Sequence, residues 1–295
     1  MDASGIIETL PIVAWQGPFD TGLRSRAIGA LEAGRVLVMP ELPFRVEPGE
    51  ASLLSPGIMG SERKNISLDP ASGRLGNASL SEAELDRLRS MMRRFSDAAE
   101  ALLRDLMPDY APFLERARTS FRPAEIAGRD YSPRHDDRLL HVDTFPSRPL
   151  RGRRILRLFC NIAADGAPRH WRLGEPFADF ARQFLPRTGR AMPGSAWLLD
   201  RLGITKGRRS EYDRIMLRLH DVGKLDAAYQ AGGPKADVAF GAGTTWCCFT
   251  DQVLHAALSG HCALEQTFHL PIEAQAQPRR SPLRVLESMT GRTLA

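Results

Sequence analysis

His141-Val142-Asp143, answered far downstream by His255 at the end of Phe249-Thr250-Asp251-Gln252-Val253-Leu254-His255, is the stretch on which the reading turns. On an extended strand side chains alternate faces, so residues 141 and 143 point the same way and can grip one ion. Two imidazoles and one carboxylate on one side of a metal leave three positions open, the facial arrangement of non-haem iron(II) oxygenases. His141, Asp143 and His255 are therefore the expected metal ligands and the expected catalytic centre. His-x-Asp alone is a weak signal, because it recurs by chance and most histidines are structural.

The surrounding pattern is that of strands. His141 to Phe145 and Ile155 to Ile162 are extended runs separated by a Pro/Arg/Gly-rich turn, and Thr244 to Val253 and Ala263 to Leu270 form another pair around Ser259-Gly260. Helical segments are expected near Pro176 to Leu185, Ser195 to Leu202 and Arg209 to Gln230. Strands flanking a helical insertion, with ligands at both ends, predict a mainly β fold: a double-stranded β-helix of the jelly-roll, cupin-like type with supporting α-helices. Upstream, Gly34 to Pro40 reads as a short strand and Glu41 to Asn77 as loop with little regular structure. Leu85, Leu88, Met92, Phe95, Ala99, Leu102 and Leu106 then mark a helix over about residues 80–107, opened by a capping box of Ser79 and Glu82. The helix's polar face mixes acids with arginines, which favours packing on the protein's own sheet over lying on a membrane.

With 295 residues, 43% of them hydrophobic, one oxygenase domain over 1–295 is expected, with an N-terminal elaboration over 1–110 and a jelly-roll core over 115–270. The four cysteines, Cys160, Cys247, Cys248 and Cys262, form no Cys-x-x-Cys pattern, so neither a zinc site nor a disulfide framework is indicated. The N-terminus has no basic segment followed by an apolar one, and no long uninterrupted apolar stretch occurs, so export and membrane spanning are not expected. The net charge of +5 gathers in clusters such as Arg148 to Arg157 and Lys206 to Arg209, which suit an anionic surface or an acidic substrate. No nucleic acid is expected, because no nucleic-acid-binding motif accompanies the charge.

Ser120-Phe121-Arg122-Pro123, the run Arg138-Leu139-Leu140-His141-Val142-Asp143-Thr144-Phe145-Pro146-Ser147-Arg148-Pro149, Gly152 to Phe159, Arg169-His170-Trp171-Arg172-Leu173-Gly174-Glu175-Pro176-Phe177, and Trp246 to Phe268 together resemble the Kdo hydroxylases over about residues 115 to 270. That resemblance implies an iron(II)- and 2-oxoglutarate-dependent dioxygenase using O2, which hydroxylates carbon 3 of the outer Kdo sugar of Kdo-lipid A, in the lipopolysaccharide inner core, to give Ko. A Kdo-containing lipid A precursor would be its partner. A cytoplasmic location follows, with weak peripheral contact to the anionic inner face of the inner membrane. His255 matches the family's distal ligand, with His261 as fallback. His135 is expected in a loop and His220 in a structural helical position.

The far carboxylate of 2-oxoglutarate needs a cation. Many such enzymes place an arginine some ten residues after the distal histidine, where this chain offers Gln266. Arg157, sixteen residues after His141 in the apolar run Ile155-Leu156-Arg157-Leu158-Phe159, is the alternative, since a planar guanidinium matches a carboxylate bidentately. An internal salt bridge would explain Arg157 equally. Arg122 and Arg169 are candidate clamps for the sugar acid, and Trp171 is a candidate apolar platform for its ring. Two other readings remain open from sequence: an oxygenase of the same fold acting on another small molecule or a protein side chain, and a metal-free sugar- or lipid-binding jelly roll.

Overall fold

The computed structural model describes residues 5–60, 64–128, 131–189, 201 and 207–295. Eleven strands are described: β1 (Ile7–Thr9), β2 (Val36–Met39), β3 (Ile66–Leu68), β4 (Leu75–Gly76), β5 (Glu115–Arg122), β6 (Arg154–Asn161), β7 (Arg169–Gly174), β8 (Lys235–Phe240), β9 (Thr245–Phe249), β10 (His255–Ser259) and β11 (Ala263–Leu270). They form an eight-stranded sheet, β1-β2-β9-β6-β11-β5-β3-β4, and a three-stranded sheet, β10-β7-β8. Every pairing is antiparallel except that of β1 with β2.

Period-two alternation sorts the side chains of these strands into layers. On the large sheet Leu37, Leu156, Leu158, Cys247, Phe249, Leu264 and Phe268 face a core shared with α1 (Thr21–Glu32) and α2 (Glu82–Leu106). On its other face Val36, Val38, Phe159, Trp246 and Cys248 meet Trp171, Leu173 and Phe240 of the small sheet. Behind the small sheet, Leu140, Val142, Leu254 and Ala256 pack on α3 (Phe177–Phe184), α4 (Glu211–Leu225), α5 (Ala227–Gly232) and α6 (Pro282–Thr290). The result is the expected double-stranded β-helix, two sheets face to face with helices outside both.

Several local expectations shift. The capping box sits at Ser81 and Glu84, not Ser79 and Glu82. The backbone of Ser79 is already committed to Ile58, beside the Met59–Ala78 bridge, so the helix starts two residues later. The segment 41–77 is not all loop, because β3 adds to the sheet edge beside β5 and β4 pairs with it. Of the expected strand His141 to Phe145, only His141 pairs, through an isolated bridge to His255. The reason lies in its partner: Asp143 N–H donates to Thr250 O, across a turn over 250–253 that carries the opposite chain away. The expected helix over Ser195–Leu202 lies, Arg201 apart, outside the described residues. The helix over Arg209–Gln230 is broken at Asp226, which caps α5 by accepting from Tyr229 N–H.

Candidate metal centre

His141 and His255 are directly opposed, each backbone N–H donating to the other's carbonyl (3.1 and 2.9 Å). Directly opposed residues of an antiparallel pair present their side chains on the same face, and the two rings lie 4.7 Å apart. Each ring's Nδ1 meets the carbonyl two residues earlier, His141 on Leu139 O (2.8 Å) and His255 on Val253 O (2.9 Å). A carbonyl accepts only, so Nδ1 carries the proton in both rings and both Nε2 lone pairs are left for an ion. Asp143 closes the set, its Oδ1 3.7 Å from His141 Nε2. One ligand atom from each of the three lies within 4.8 Å of the others, and no other such group of three occurs among the described residues.

The charge states suit a cation. Burial, reinforced by the neighbouring His255 and Lys224, pushes His141 well below its ordinary value, and burial likewise lowers His255. Burial alone would favour the neutral acid at Asp143, but Arg157 first, then His255 and His141, outweigh it and keep the carboxylate ionised. Two neutral imidazoles and one anion are the protonation states that metal ligation requires. The donor set therefore fits a divalent metal.

The second face of the cavity is an alternating ion chain that sequence did not reveal. Asp143 Oδ2 lies 3.2 Å from Arg157 Nη1, which is 3.1 Å from Glu265 Oε1. Glu265 Oε2 accepts from Arg122 Nε (3.2 Å) and Nη2 (3.0 Å). Arg122 then stands 3.6 Å from Asp137, which takes Lys64 at 2.7 Å. Glu265 is 3% exposed and remains ionised because Arg157 and Arg122 overcome the effect of burial. Alternation on β11 and β6 puts Glu265, Arg157 and Phe159 on the cavity face.

The sequence-based assignments divide accordingly. Arg122, Arg157, Arg169 and Trp171 line the cavity with the triad. Gln266 does not: it is fully buried on the opposite face of β11, accepting from Thr119 Oγ1 and donating to Ala117 O and Thr267 O. Arg157 does make the internal salt bridges that were its competing explanation, through Nη1, while its Nε is buried without a hydrogen-bond partner among the described residues. Arg169 Nε and Trp171 Nε1 are in the same condition. Arg169 gives one Nη1 hydrogen bond to Gly260 O (3.3 Å), and burial first, then the neighbouring Arg122, lowers its pKa to about 9. Trp171 lies over the ring of His255 (5.1 Å, 23°), so the imidazole covers that face of the indole. His261 pairs with Asp165 at 3.1 Å at the surface, and His135, expected in a loop, ends a short 3-10 turn over Pro133–His135 and bonds Ser132. His220 is closer to the site than expected, edge-on to His141 at 5.5 Å.

A larger hollow of about 470 Å³ lies behind the Gln252–Leu254 segment, lined by Gly34, Arg35, Gln252 and Arg279 among others, but it brings no metal-ligating cluster together. Chemistry, and not size, locates the site.

The model of the 3-deoxy-D-manno-oct-2-ulosonic acid (Kdo) hydroxylase family matches residues 14–293. The chain belongs to the Kdo hydroxylase family. It is 44% identical to a crystallised Kdo hydroxylase, KdoO, a non-haem Fe(II) α-ketoglutarate-dependent dioxygenase in complex with α-ketoglutarate and Fe(III), with a TM-score of 0.95 over 98% of this chain and 97% of that one. A cobalt(II) complex of KdoO gives 45% identity and the same score and coverage. A succinate and Fe(III) complex gives 44% identity and a TM-score of 0.94, again over 98% and 97% of the two chains. No curated protein matches the chain. Family membership extends beyond the stretch from 115 to 270 and takes in most of the N-terminal region, including the segment that carries Lys64.

Proposed function

We propose that the protein is an Fe(II)- and 2-oxoglutarate-dependent dioxygenase that hydroxylates the Kdo sugar of Kdo-lipid A, at carbon 3 of the outer Kdo, to give Ko. The observation that carries the reading is the buried His141–Asp143–His255 face with both Nε2 atoms aimed at one point, in a chain with this family relationship along almost its whole length. When bound, the metal with 2-oxoglutarate and O2 supplies the oxidation, the cosubstrate leaving as succinate and carbon dioxide while one oxygen atom enters a sugar C–H bond.

The chain's own residues position and shield. His141, Asp143 and His255 hold the metal, with Leu139 O and Val253 O fixing the two tautomers. Buried N–H groups without partners are costly, and such donors in one cavity mark the place of an acceptor. Arg157 Nε, Arg169 Nε and Trp171 Nε1 are assigned to the carboxylates of 2-oxoglutarate on that ground. Arg122, held through its Nε and Nη2 on the single oxygen Oε2 of Glu265, steadies this wall.

We further infer a cytoplasmic protein that touches the inner face of the inner membrane through its basic surface. Supporting this, Arg151, Arg208 and Arg209 line one open surface hollow, and among the described residues no helix is long and apolar enough to cross a membrane. Salt should release the protein from membrane fractions; retention at high salt until detergent is added contradicts peripheral binding.

The enzymatic reading is tested by mixing anaerobically purified protein with Fe(II), 2-oxoglutarate and Kdo-lipid A and admitting oxygen. The expected result is a lipid product heavier by one oxygen atom, with succinate formed in equal amount. Succinate formed with another acceptor, or none without an acceptor and none with Kdo-lipid A, overturns the substrate assignment.

A further inference from the structure

The metal cavity continues into a second hollow lined by Lys64, Tyr131, Asp136 and Arg138, and Arg122 and Asp137 belong to both. We propose that Lys64 is the receptor for the substrate's carboxylate and sets the preference for an anionic sugar. This rests on the Kdo hydroxylase reading above and deepens it by naming the cation that recognises the sugar acid.

Charge balance comes first. Lys64, Arg122, Arg138, Arg157 and Arg169 line the two hollows against Asp136, Asp137, Asp143 and Glu265, five positive charges against four negative. A divalent metal and a doubly charged cosubstrate cancel one another, so one positive charge is left over. A single carboxylate neutralises it, and the family's substrate is an ulosonic acid.

Availability then selects among the five. Arg138 is clamped on both oxygens of Asp136 (2.8 and 2.8 Å), Arg122 lies on Glu265 and Asp137, and Arg157 lies between Asp143 and Glu265. Arg169 is 3% exposed on the inner wall. Lys64 is different. Its side chain, 24% exposed, stands at the mouth with Nζ 4.8 Å over the Tyr131 ring, and it shares its one carboxylate, Asp137, with Arg122. Of the three ammonium donors one meets Asp137 and one the backbone carbonyl of His135, so the third can donate to a new carboxylate while Arg122 retains Asp137. Lys64 comes from the segment before β3, outside the jelly-roll strands, which gives the N-terminal region a part in substrate choice.

The test uses the protein loaded with Co(II) and 2-oxoglutarate, and two probes: the α-methyl glycoside of Kdo and the methyl ester of that glycoside, which lacks the charge. Titration calorimetry should show Lys64→Met weakening the acid about tenfold or more, with the ester unchanged, the 2-oxoglutarate affinity unchanged, and Lys64→Arg close to wild type. The Michaelis constant for Kdo-lipid A should rise in step. Wild-type binding of the acid with an indifferent Lys64→Met overturns the Lys64 assignment alone, as does equal weakening of acid and ester. Failure of the wild-type protein to bind the acid at all overturns the parent reading, and this one with it.

Discussion

Arg157 Nη1 lies 3.2 Å from Asp143 Oδ2, the oxygen turned away from His141, whose Nε2 stands 3.7 Å from Oδ1. One guanidinium thus claims one carboxylate oxygen and leaves the other for a metal. That division would let Asp143 hold a metal through one oxygen and leave open the positions an oxygenase needs. The arrangement depends on Glu265, which holds Arg157 from behind and Arg122 beside it.

Removing Glu265 should therefore be felt twice. Glu265→Ala leaves two buried guanidinium groups short of counter-charge, at a cost of about 3 kcal/mol in unfolding free energy, while Glu265→Gln keeps the shape and costs less. Urea unfolding of the metal-free variants measures the first effect. Cobalt(II) titration measures the second: both variants should bind metal more weakly as Arg157 loses its hold on Asp143. Wild-type values on both axes would show the ion chain to be inert.

For the triad, His141→Ala, Asp143→Ala and His255→Ala should each lose turnover and most cobalt(II) binding, with the circular dichroism of a folded chain. His261→Ala should keep both, since that ring only meets Asp165 at the surface. The reverse pattern at 255 and 261 would move the distal ligand.

The triad was legible because the i, i+2 spacing groups His141 with Asp143 and the family resemblance selects His255 over His261. β11 was legible residue for residue, Ala263 to Leu270, because its apolar alternation is strong and a turn precedes it. Which of its neighbours faces the cavity was not. Alternation allows either Glu265 or Gln266, and the choice follows from the pairing of Thr267 with Arg157, a register set by two strands about a hundred residues apart. Lys64 was hidden for a similar reason, as a polar residue in an irregular segment whose position depends on β3 joining the sheet edge. The two Ser-x-x-Glu signals at 79 and 81 are equivalent in sequence, and only the Ile58 contact decides between them.

His269 gives a pH prediction clear of the metal ligands. Burial, then the neighbouring Arg153, lowers its pKa from 6.5 to about 4. Between those values the unfolded chain binds a proton that the folded chain refuses, so the contribution is complete above about pH 6.5 and is lost as the pH falls towards 4. The loss is at most about 3 kcal/mol. His269→Gln should flatten the acid slope of a urea-midpoint profile over that window. An unchanged slope would mean that the ring is protonated in the fold.

Arg169 offers the clearest opposition of stability and binding. It is a buried cation with a single backbone hydrogen bond and an unpartnered Nε, next to Arg122, and its pKa falls to about 9. The ligand-free fold therefore resists its charge. Arg169→Met should leave the ligand-free protein at least as stable as wild type, because an apolar side chain replaces an incompletely compensated ion. The same change should weaken 2-oxoglutarate by about 2 to 5 kcal/mol, roughly thirtyfold to several thousandfold, since a carboxylate would then lie unpaired in the cavity. Arg157→Ala should also weaken 2-oxoglutarate, but with a loss of metal affinity that Arg169→Met does not share, because only Arg157 touches Asp143. Thermal melts with and without ligand, and 2-oxoglutarate titrations of the cobalt(II) protein followed by its visible absorption, separate the cases. An Arg169→Met variant that is less stable without ligand and binds 2-oxoglutarate normally would make Arg169 a structural residue and return the cosubstrate to Arg157 alone.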